Sequence, residues 1–266
     1  MTLAQTARTF LFVPATRPDR LEKALATRAD AVIIDLEDSV SDEEKPKARE
    51  NLLTMNPSRA VLVRINAVDT SAFRDDVAAL EACPWARTIV VPKVHSIDVV
   101  ARVRETTVRD RELVALIESA EGISRADEIA RSGPSRLLFG TADYAADLNA
   151  SPSEKLYHYP RSRLVVASAA AGLPGPVDGP SMATRDREQV IADVRTAIAL
   201  GMGGKLCIHP EQVDVAADQF GPTQEEREWA RRIVSAFERE RGGVLVVDGE
   251  MIDAPVLQRA RRILDR

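Results

Sequence analysis

Short, almost entirely apolar runs alternate along this chain with longer segments rich in charge. Eight of the runs predict β-strands: Phe10–Pro14, Ala31–Leu36, Val61–Ile65, Thr88–Pro92, the segment VALIES, the segment RLLFGTAD, Gly175–Asp178 and Lys205–Ile208. The segments between them predict helices: Arg17–Thr27, Asp42–Met55, Ser71–Cys83, Ser96–Arg104, Ile123–Arg131, Glu154–Ala171 and Arg185–Leu200. Strands and helices therefore alternate along most of the chain.

Near-continuous apolar runs are typical of strands that are buried on both faces, as in a parallel sheet covered by helices. Eight such units in a chain of 266 residues favour an α/β fold of the (β/α)₈ TIM-barrel class. The alternative is an open doubly wound sheet, but no G-x-G-x-x-G or Walker-type loop follows any of the strands. We assign residues 1–222 to a barrel that forms the catalytic domain.

The last part of the chain, residues 223–266, is surplus to the eight units. It contains a charged helical segment, Glu225–Arg239, then a Gly-Gly pair, an apolar run at Val244–Val247 and a final helix from Pro255. We interpret it as a C-terminal helical extension that packs on a neighbouring subunit. This predicts an oligomer.

Composition excludes several classes of partner. A net charge of −5 and a pI near 5.4 give no electrostatic reason to expect nucleic acid or an anionic membrane. The two cysteines, Cys83 and Cys207, are far apart in apolar contexts, which indicates free thiols in a reducing compartment. No apolar run is long enough for the core of a signal peptide or for a membrane span, so we expect a cytoplasmic protein.

Charged residues follow nearly every predicted strand, at the end of the barrel where active sites of this fold lie. Glu118 and Asp143 come at the ends of VALIES and RLLFGTAD, which are consecutive strands. Because neighbouring parallel strands are about 4.8 Å apart, the two carboxylates can converge on one Mg²⁺ ion, leaving other positions to substrate and water. The alternative is that each acid only caps the helix that follows it.

Arg64 ends a buried strand in VLVRIN, where a guanidinium needs carboxylates or a substrate oxyanion as partners. A structural ion pair with Glu37 or Asp38 is the simpler explanation, and both roles are compatible. Glu37 and Asp38 are consecutive and must point in different directions. We expect one to face the water shell of the metal and the other a helix terminus, so that both support the site without binding the metal. Lys93 raises the alternative of Schiff-base chemistry, which requires a lysine with a lowered pKa.

Several segments together resemble one known family. They are FLFVPATRPDR, IIDLEDSV, VRIN, VVPK, ALIESAEG, FGTADYAADL, YPRSRLVVASAAAGLP and GKLCIHPEQV, with a weaker match in GEMIDAPVLQRA. They are similar to the citrate lyase β-subunit-like proteins of the HpcH/HpaI aldolase and malyl-CoA lyase superfamily. Two segments depart from the family pattern: Asn149-Ala150, where glycine is usual, and the loop PVDGPSMATRD.

The resemblance implies a barrel in a homotrimer or hexamer, with the terminal helix docked on a neighbouring subunit. The family's metal-binding glutamate and aspartate match Glu118 and Asp143, and its substrate-binding arginine matches Arg64. The arginine that contacts the acyl thioester is similar to Arg17. A late aspartate that reaches a neighbour's site as an acid or base matches Asp253.

The activity implied is that of a Mg²⁺-dependent carbon–carbon lyase. Its substrate would be a malyl-, citramalyl- or citryl-type CoA thioester, cleaved to an acyl-CoA and a 2-oxo acid or formed from them. We expect Glu118 to contact substrate as well as metal, and Glu37, Asp38, Arg64 and Asp253 to take part in catalysis. Two alternatives are a metal-dependent aldolase acting on free 2-oxo acids and an accessory subunit of a multi-component citrate lyase.

Overall fold

Eight short parallel strands follow one another around a closed barrel in sequence order, β1 to β8, with β8 paired to β1. The structure is a computed structural model that describes residues 1–108, 110–184, 186–239, 245–247 and 250–264. The strands are β1 (Thr9–Pro14), β2 (Ala31–Asp35), β3 (Leu62–Arg64), β4 (Thr88–Val91), β5 (Glu112–Ile117), β6 (Arg136–Phe139), β7 (Val177–Asp178) and β8 (Gly204–Cys207). The predicted (β/α)₈ barrel is confirmed, and the open doubly wound sheet is excluded.

Helices connect the strands on the outside. They are α1 (Leu3–Thr6), α2 (Pro18–Leu25), a 3₁₀ turn (Asp42–Glu44), α3 (Lys45–Thr54), α4 (Ala72–Glu81), α5 (Ile97–Thr106), α6 (Ala120–Ser124), α7 (Ala126–Arg131), α8 (Thr141–Asp147), α9 (Glu154–Ala170), α10 (Arg187–Ala199) and α11 (Pro210–Phe220). Among the residues described, no helix is both long and apolar enough to cross a membrane.

The helix predictions need several corrections, and helix α1 is the first, because the polar residues before β1 were not predicted to be helical. The single helix expected over Ile123–Arg131 is two helices, α6 and α7, because the chain leaves helical geometry at Arg125. The short helix α8 directly after β6 and the helix α11 after β8 were not predicted. The predicted start of α10 at Arg185 lies outside the described residues.

The barrel interior is filled by side chains that alternate along each strand, as the period of two requires. Phe10, Ile33, Leu62, Val90, Leu116, Leu138, Val177 and Leu206 form this core with their neighbours. At the amino-terminal end, Arg136 is 2% exposed and donates hydrogen bonds to the carbonyls of Ala4, Ala7 and Gly175. Its guanidinium lies 5.6 Å from the centre of the Phe10 ring. Arg136 thus fastens helix α1 across the bottom of the barrel.

The chain divides into two compact units, residues 1–218 and 219–266. The second unit contains α12 (Gln224–Arg239), an antiparallel hairpin of β9 (Leu245–Val247) and β10 (Glu250–Ile252), and α13 (Ala254–Leu264). Val244, at the start of the predicted apolar run, lies outside the described residues. The extension was predicted to be helical, but it also contains this hairpin. Its two helices pack on each other around Ala230, Ile233, Ile252 and Ala260.

Candidate metal centre and active site at the barrel mouth

The inward-facing positions of the strands become polar at the carboxyl end of the barrel. Continuing the alternation from Ile33, Leu62 and Leu116 brings Asp35, Arg64 and Glu118 to the interior side of the mouth. Asp35 is fully buried, and Arg64 and Glu118 are 9% and 4% exposed. The same alternation along β6 places Gly140 beside Glu118. These groups form the floor of the candidate site.

Glu118 is held in one orientation by its neighbours. Its Oε1 accepts a hydrogen bond of 2.7 Å from the Lys93 amide, and a Cβ placed on Gly140 would overlap its Oε2. Burial raises the pKa of Glu118 to about 8, and the negative charges of Glu37 and Asp143 add to this effect. A buried carboxylate under such repulsion is stabilised in its charged form by a cation.

Asp143 lies in the first turn of helix α8 and is half-buried. This corrects the expectation that it ends a strand, because β6 stops at Phe139 and the chain turns into the helix at Gly140. Strands β5 and β6 are paired neighbours as predicted. Glu118 and Asp143 line one cavity of about 430 Å³, together with Asp69, Lys93, His95, Ser119, Glu121 and Asp147.

These residues fit Mg²⁺. Among the described residues, no cluster of three or more His, Cys, Asp or Glu side chains is arranged to hold a metal. A site built on Glu118 and Asp143 therefore supplies two carboxylate oxygens from the protein. Mg²⁺ is commonly held in this way, by one or two carboxylates, with its other positions left to water and substrate oxygens.

Arg64 is the centre of a buried ion cluster. Its Nε and Nη2 form a two-pronged pair with Asp35, at 2.6 and 2.7 Å, and its Nη1 lies 3.0 Å from Glu37 and 3.3 Å from Asp38. Burial opposes the charge on Arg64, but the hydrogen bonds and charge of Asp35 outweigh it and hold the pKa of Arg64 above its usual value. The face of the Phe12 ring lies 4.7 Å from the guanidinium carbon.

The main partner of Arg64, Asp35, was missing from the sequence prediction. Burial raises the pKa of Asp35, but Arg64 and the hydrogen bond from Ser39 outweigh this and lower it overall. Its carboxylate also accepts hydrogen bonds from the backbone of Glu37 and Ser39 at 3.0 and 3.1 Å. The signal was present in AVIIDL, since Asp35 lies two positions beyond Ile33 and shares its inward direction.

Glu37 is 5% exposed and lies between two cations. Its Oε1 accepts a hydrogen bond of 2.8 Å from Lys93 Nζ, whereas Oε2 contacts Arg64 without hydrogen-bond geometry. Burial raises the pKa of Glu37 to about 7 despite the charges of Arg64 and Lys93. Lys45 fixes the loop around Glu37, since its Nζ lies 3.2–3.3 Å from the carbonyls of Leu36, Glu37 and Val40.

Neither Lys93 nor Lys205 has the environment that a Schiff-base lysine requires. Burial lowers the pKa of Lys93, but its hydrogen bond to Glu37 and the acids nearby outweigh this and raise the pKa overall. Schiff-base formation requires a lowered pKa, so the ion pair of Lys93 with Glu37, at 2.8 Å, disfavours that alternative. Lys205 Nζ donates a hydrogen bond of 2.6 Å to the Asp178 carboxylate, which also accepts two hydrogen bonds from Arg161. These three charges form a buried structural network.

Arg17 and Asp253 each form hydrogen bonds with nearby residues, and these contacts neither support nor oppose the roles predicted for them. The exposed Arg17 side chain pairs with Asp19 through two hydrogen bonds of 2.9 and 2.8 Å. Asp253 belongs to the second unit, where its Oδ1 accepts a hydrogen bond of 3.1 Å from the Val256 amide and caps helix α13. Both roles stay predictions.

Comparison with known families decides the relationship. The family model described as HpcH/HpaI aldolase/citrate lyase matches residues 8–210, which is most of the chain and all of the barrel strands. The chain belongs to this family. The resemblance found in the sequence motifs is thereby confirmed.

Curated relatives of the HpcH/HpaI chain extend over nearly its whole length. A citrate lyase subunit beta-like protein of Mycobacterium tuberculosis is 36% identical, covering 100% of this chain and 97% of the relative. A (3S)-malyl-CoA thioesterase of Cereibacter sphaeroides is also 36% identical, covering 98% of this chain and 94% of the relative.

A solved structure of the family has the same fold. The chain is similar to CitE from Mycobacterium tuberculosis, crystallised in complex with magnesium, acetoacetate and coenzyme A. The TM-score is 0.86 and the identity 35%, covering 98% of this chain and 97% of the other. Both the fold and the family are therefore established over the length of the barrel.

Proposed function

We propose that this chain is a Mg²⁺-dependent carbon–carbon lyase acting on a 3-hydroxy-3-carboxy acyl thioester such as malyl-, citramalyl- or citryl-CoA. Cleavage would break the bond between C2 and C3, giving an acyl-CoA and a 2-oxo acid, and condensation would form it. The observation that carries the proposal is the buried Glu118 facing the same cavity as Asp143. The related malyl-CoA thioesterase and the CitE complex with magnesium, acetoacetate and coenzyme A support this substrate class.

Glu118 and Asp143 would hold the metal, and Glu118 would also lie against the substrate. When bound, Mg²⁺ supplies a Lewis acid that polarises the oxygen becoming the carbonyl of the 2-oxo acid. Arg64 would stabilise the negative charge that develops on the leaving enolate, because its guanidinium is held rigidly by Asp35. Asp38, whose side chain is 48% exposed, would orient Arg64 from the solvent side.

Glu37 suits proton transfer from the 3-hydroxyl group. Its pKa of about 7 lies near a neutral working pH, where a general base is most effective. Asp253 is the second candidate for an acid or base, and would act in the site of a neighbouring subunit. Arg17 would contact the carrier end of the thioester, which we take to be coenzyme A.

The test is a cleavage and condensation panel over malyl-, citramalyl- and citryl-CoA, using the isolated protein with and without Mg²⁺. We expect cleavage that requires Mg²⁺, and we expect the substitution Glu118→Gln to abolish it. Substantial Mg²⁺-dependent turnover by the Glu118→Gln variant would contradict the assignment. Failure of the isolated wild-type protein on every thioester would favour the accessory-subunit alternative, and activity on free 2-oxo acids alone would favour the aldolase.

The thioesterase relative suggests a second candidate, hydrolysis of the same thioester. The two reactions release different products: cleavage yields an acyl-CoA and a 2-oxo acid, whereas hydrolysis yields free coenzyme A thiol. Following the 2-oxo acid and the free thiol in parallel distinguishes them. Release of thiol without a 2-oxo acid would show that the chain is a thioesterase.

We also propose that residues 223–266 pack on a neighbouring subunit of a homotrimer or hexamer and deliver Asp253 there. Mixing inactive Asp253→Asn and Glu118→Gln variants before assembly tests this. Shared sites predict that the mixture regains part of the wild-type activity, since some sites would combine an intact Glu118 with an intact Asp253. No recovery in a mixed oligomer would place Asp253 outside the neighbour's site.

A further inference from the structure

Lys93 has an unusual backbone for a lysine. Its φ of 52° is positive, and among the described non-glycine residues only Asn149 shares this feature. Side chains with a Cβ rarely adopt this left-handed region, because the conformation is sterically unfavourable. Such outliers persist where the surrounding structure holds them in place.

The residue contacts the candidate site through three of its parts. Its amide donates to Glu118 at 2.7 Å, and its Nζ donates to Glu37 at 2.8 Å. Its carbonyl oxygen lies 3.0 Å from His95 Nδ1. Lys93 also lines two cavities, the one that contains Glu118 and a second of about 720 Å³ that contains Glu37. One residue therefore links the two acids across the mouth.

The left-handed conformation explains how one residue can serve both acids. The angle φ sets the direction of the amide N–H relative to the side chain that leaves the same Cα. With φ at 52° the N–H faces Glu118 while the side chain runs to Glu37. The strand β4 ends two residues earlier, at Val91, so the turn at Lys93 can depart from sheet geometry.

We propose that Lys93 is a positioning residue, whose amide fixes Glu118 for metal binding and whose ammonium fixes Glu37 beside Arg64. This deepens the proposed function and rests on it, since it takes Glu118 as a metal ligand. The two contacts make separate predictions. The ammonium should matter for turnover, and the backbone conformation should matter for Mg²⁺ affinity.

The substitution Lys93→Met removes the ammonium and keeps the amide. We expect turnover to fall by roughly 10- to 100-fold, the usual effect of losing a group that orients catalytic residues. Mg²⁺ affinity, measured by calorimetric titration, should stay equal or become tighter, because a positive charge near the metal is lost. A residue that only supported the fold would instead weaken both together. Lys93→Arg should recover part of the turnover.

The backbone is tested by comparing Lys93→Gly with Lys93→Ala. Both lack the ammonium, but only glycine adopts a positive φ without strain. We expect Lys93→Ala to bind Mg²⁺ as Lys93→Met does, because both keep a Cβ and lack the ammonium, and Lys93→Gly to bind it roughly fivefold more tightly than Lys93→Ala, because glycine holds the same conformation without strain. Urea unfolding of each variant checks that it is folded.

Lys47→Met is the matched control. Lys47 also pairs with a glutamate, Glu50 at 3.0 Å, but on the exposed surface, so this variant should match the wild type in every measurement. Equal Mg²⁺ affinity for Lys93→Gly and Lys93→Ala, with wild-type turnover by Lys93→Met, would overturn the proposal. The calorimetric titration measures Mg²⁺ binding whether or not the protein turns over a thioester, so it separates this proposal from the proposed function. If the wild type cleaves no thioester but the glycine and alanine variants differ, the proposed function fails while the positioning of Glu118 stands.

Discussion

Gly140 offers a direct test of the metal centre, because adding a methyl group there would press on Glu118. A Cβ at position 140 would overlap Glu118 Oε2 and lie 2.6 Å from Glu118 Cβ and 3.2 Å from Cδ. The overlap includes the stem of the side chain as well as its end, so rotation of the carboxylate alone cannot relieve it. The backbone of Gly140, at φ −90° and ψ 91°, is open to alanine. The effect of Gly140→Ala is therefore purely steric.

Overpacking of this kind costs about 1–3 kcal/mol. If that cost falls on the orientation of Glu118 that binds metal, Mg²⁺ affinity should drop by roughly 5- to 150-fold. Calorimetric titration with MgCl₂ measures the affinity, and urea unfolding in EDTA measures the free energy of unfolding.

Gly172→Ala is the control, since Gly172 has a φ of 72° and no atom within 4 Å of an added Cβ. It should lose about 1 kcal/mol of stability through backbone strain and bind Mg²⁺ normally. Wild-type Mg²⁺ affinity in Gly140→Ala would refute the placement of the metal on Glu118.

Three further outcomes are expected. Asp35→Asn should lower the free energy of unfolding by about 3 kcal/mol, because it leaves the buried Arg64 without its main partner; a loss under 1 kcal/mol in urea unfolding would contradict the importance of this pair. The metal-free protein should lose stability as the pH rises from about 4.5 to about 8, since the folded pKa values of Glu37 and Glu118, about 7 and about 8, lie above the ordinary 4.5. The folded state then retains protons that the unfolded state has released, and Glu118→Gln should flatten this slope in EDTA. Arg136→Met should cost about 3 kcal/mol by leaving buried carbonyls unpaired, yet leave turnover unchanged because Arg136 lies at the other end of the barrel; reduced turnover in the folded variant would contradict that separation.

The barrel was predictable because the strands are buried on both faces and so appear as nearly uninterrupted apolar runs. Helices were harder where they are short. Helix α8 covers only Thr141–Asp147, and its sequence, TADYAAD, follows the strand with no intervening turn residue except Gly140. The sequence therefore placed Asp143 at the barrel mouth, after the strand that neighbours the strand of Glu118. It was wrong in assigning Asp143 to the end of the strand, because Asp143 lies in helix α8.

The ion cluster shows a different limit. The sequence suggested that Arg64 needs carboxylate partners, and Glu37 and Asp38 are among them. Asp35 was overlooked because it lies inside a predicted strand, although an inward position near the barrel mouth is where a buried acid can meet Arg64. The left-handed backbone at Lys93 has no signature in the sequence, since lysine gives no preference for it. Tertiary contacts determine it.

The mixture of charges at the mouth has a consequence for the order in which ligands arrive. Among the residues that the structure describes at the mouth, Asp35, Glu37, Asp38, Glu118 and Asp143 lie around two cations, Arg64 and Lys93, so full ionisation of these seven groups leaves three negative charges in excess. An incoming substrate that is itself an anion meets repulsion until a dication has reduced this excess to one. Metal first and thioester second is then the expected kinetic sequence, and chelation should act mainly by preventing the thioester from associating.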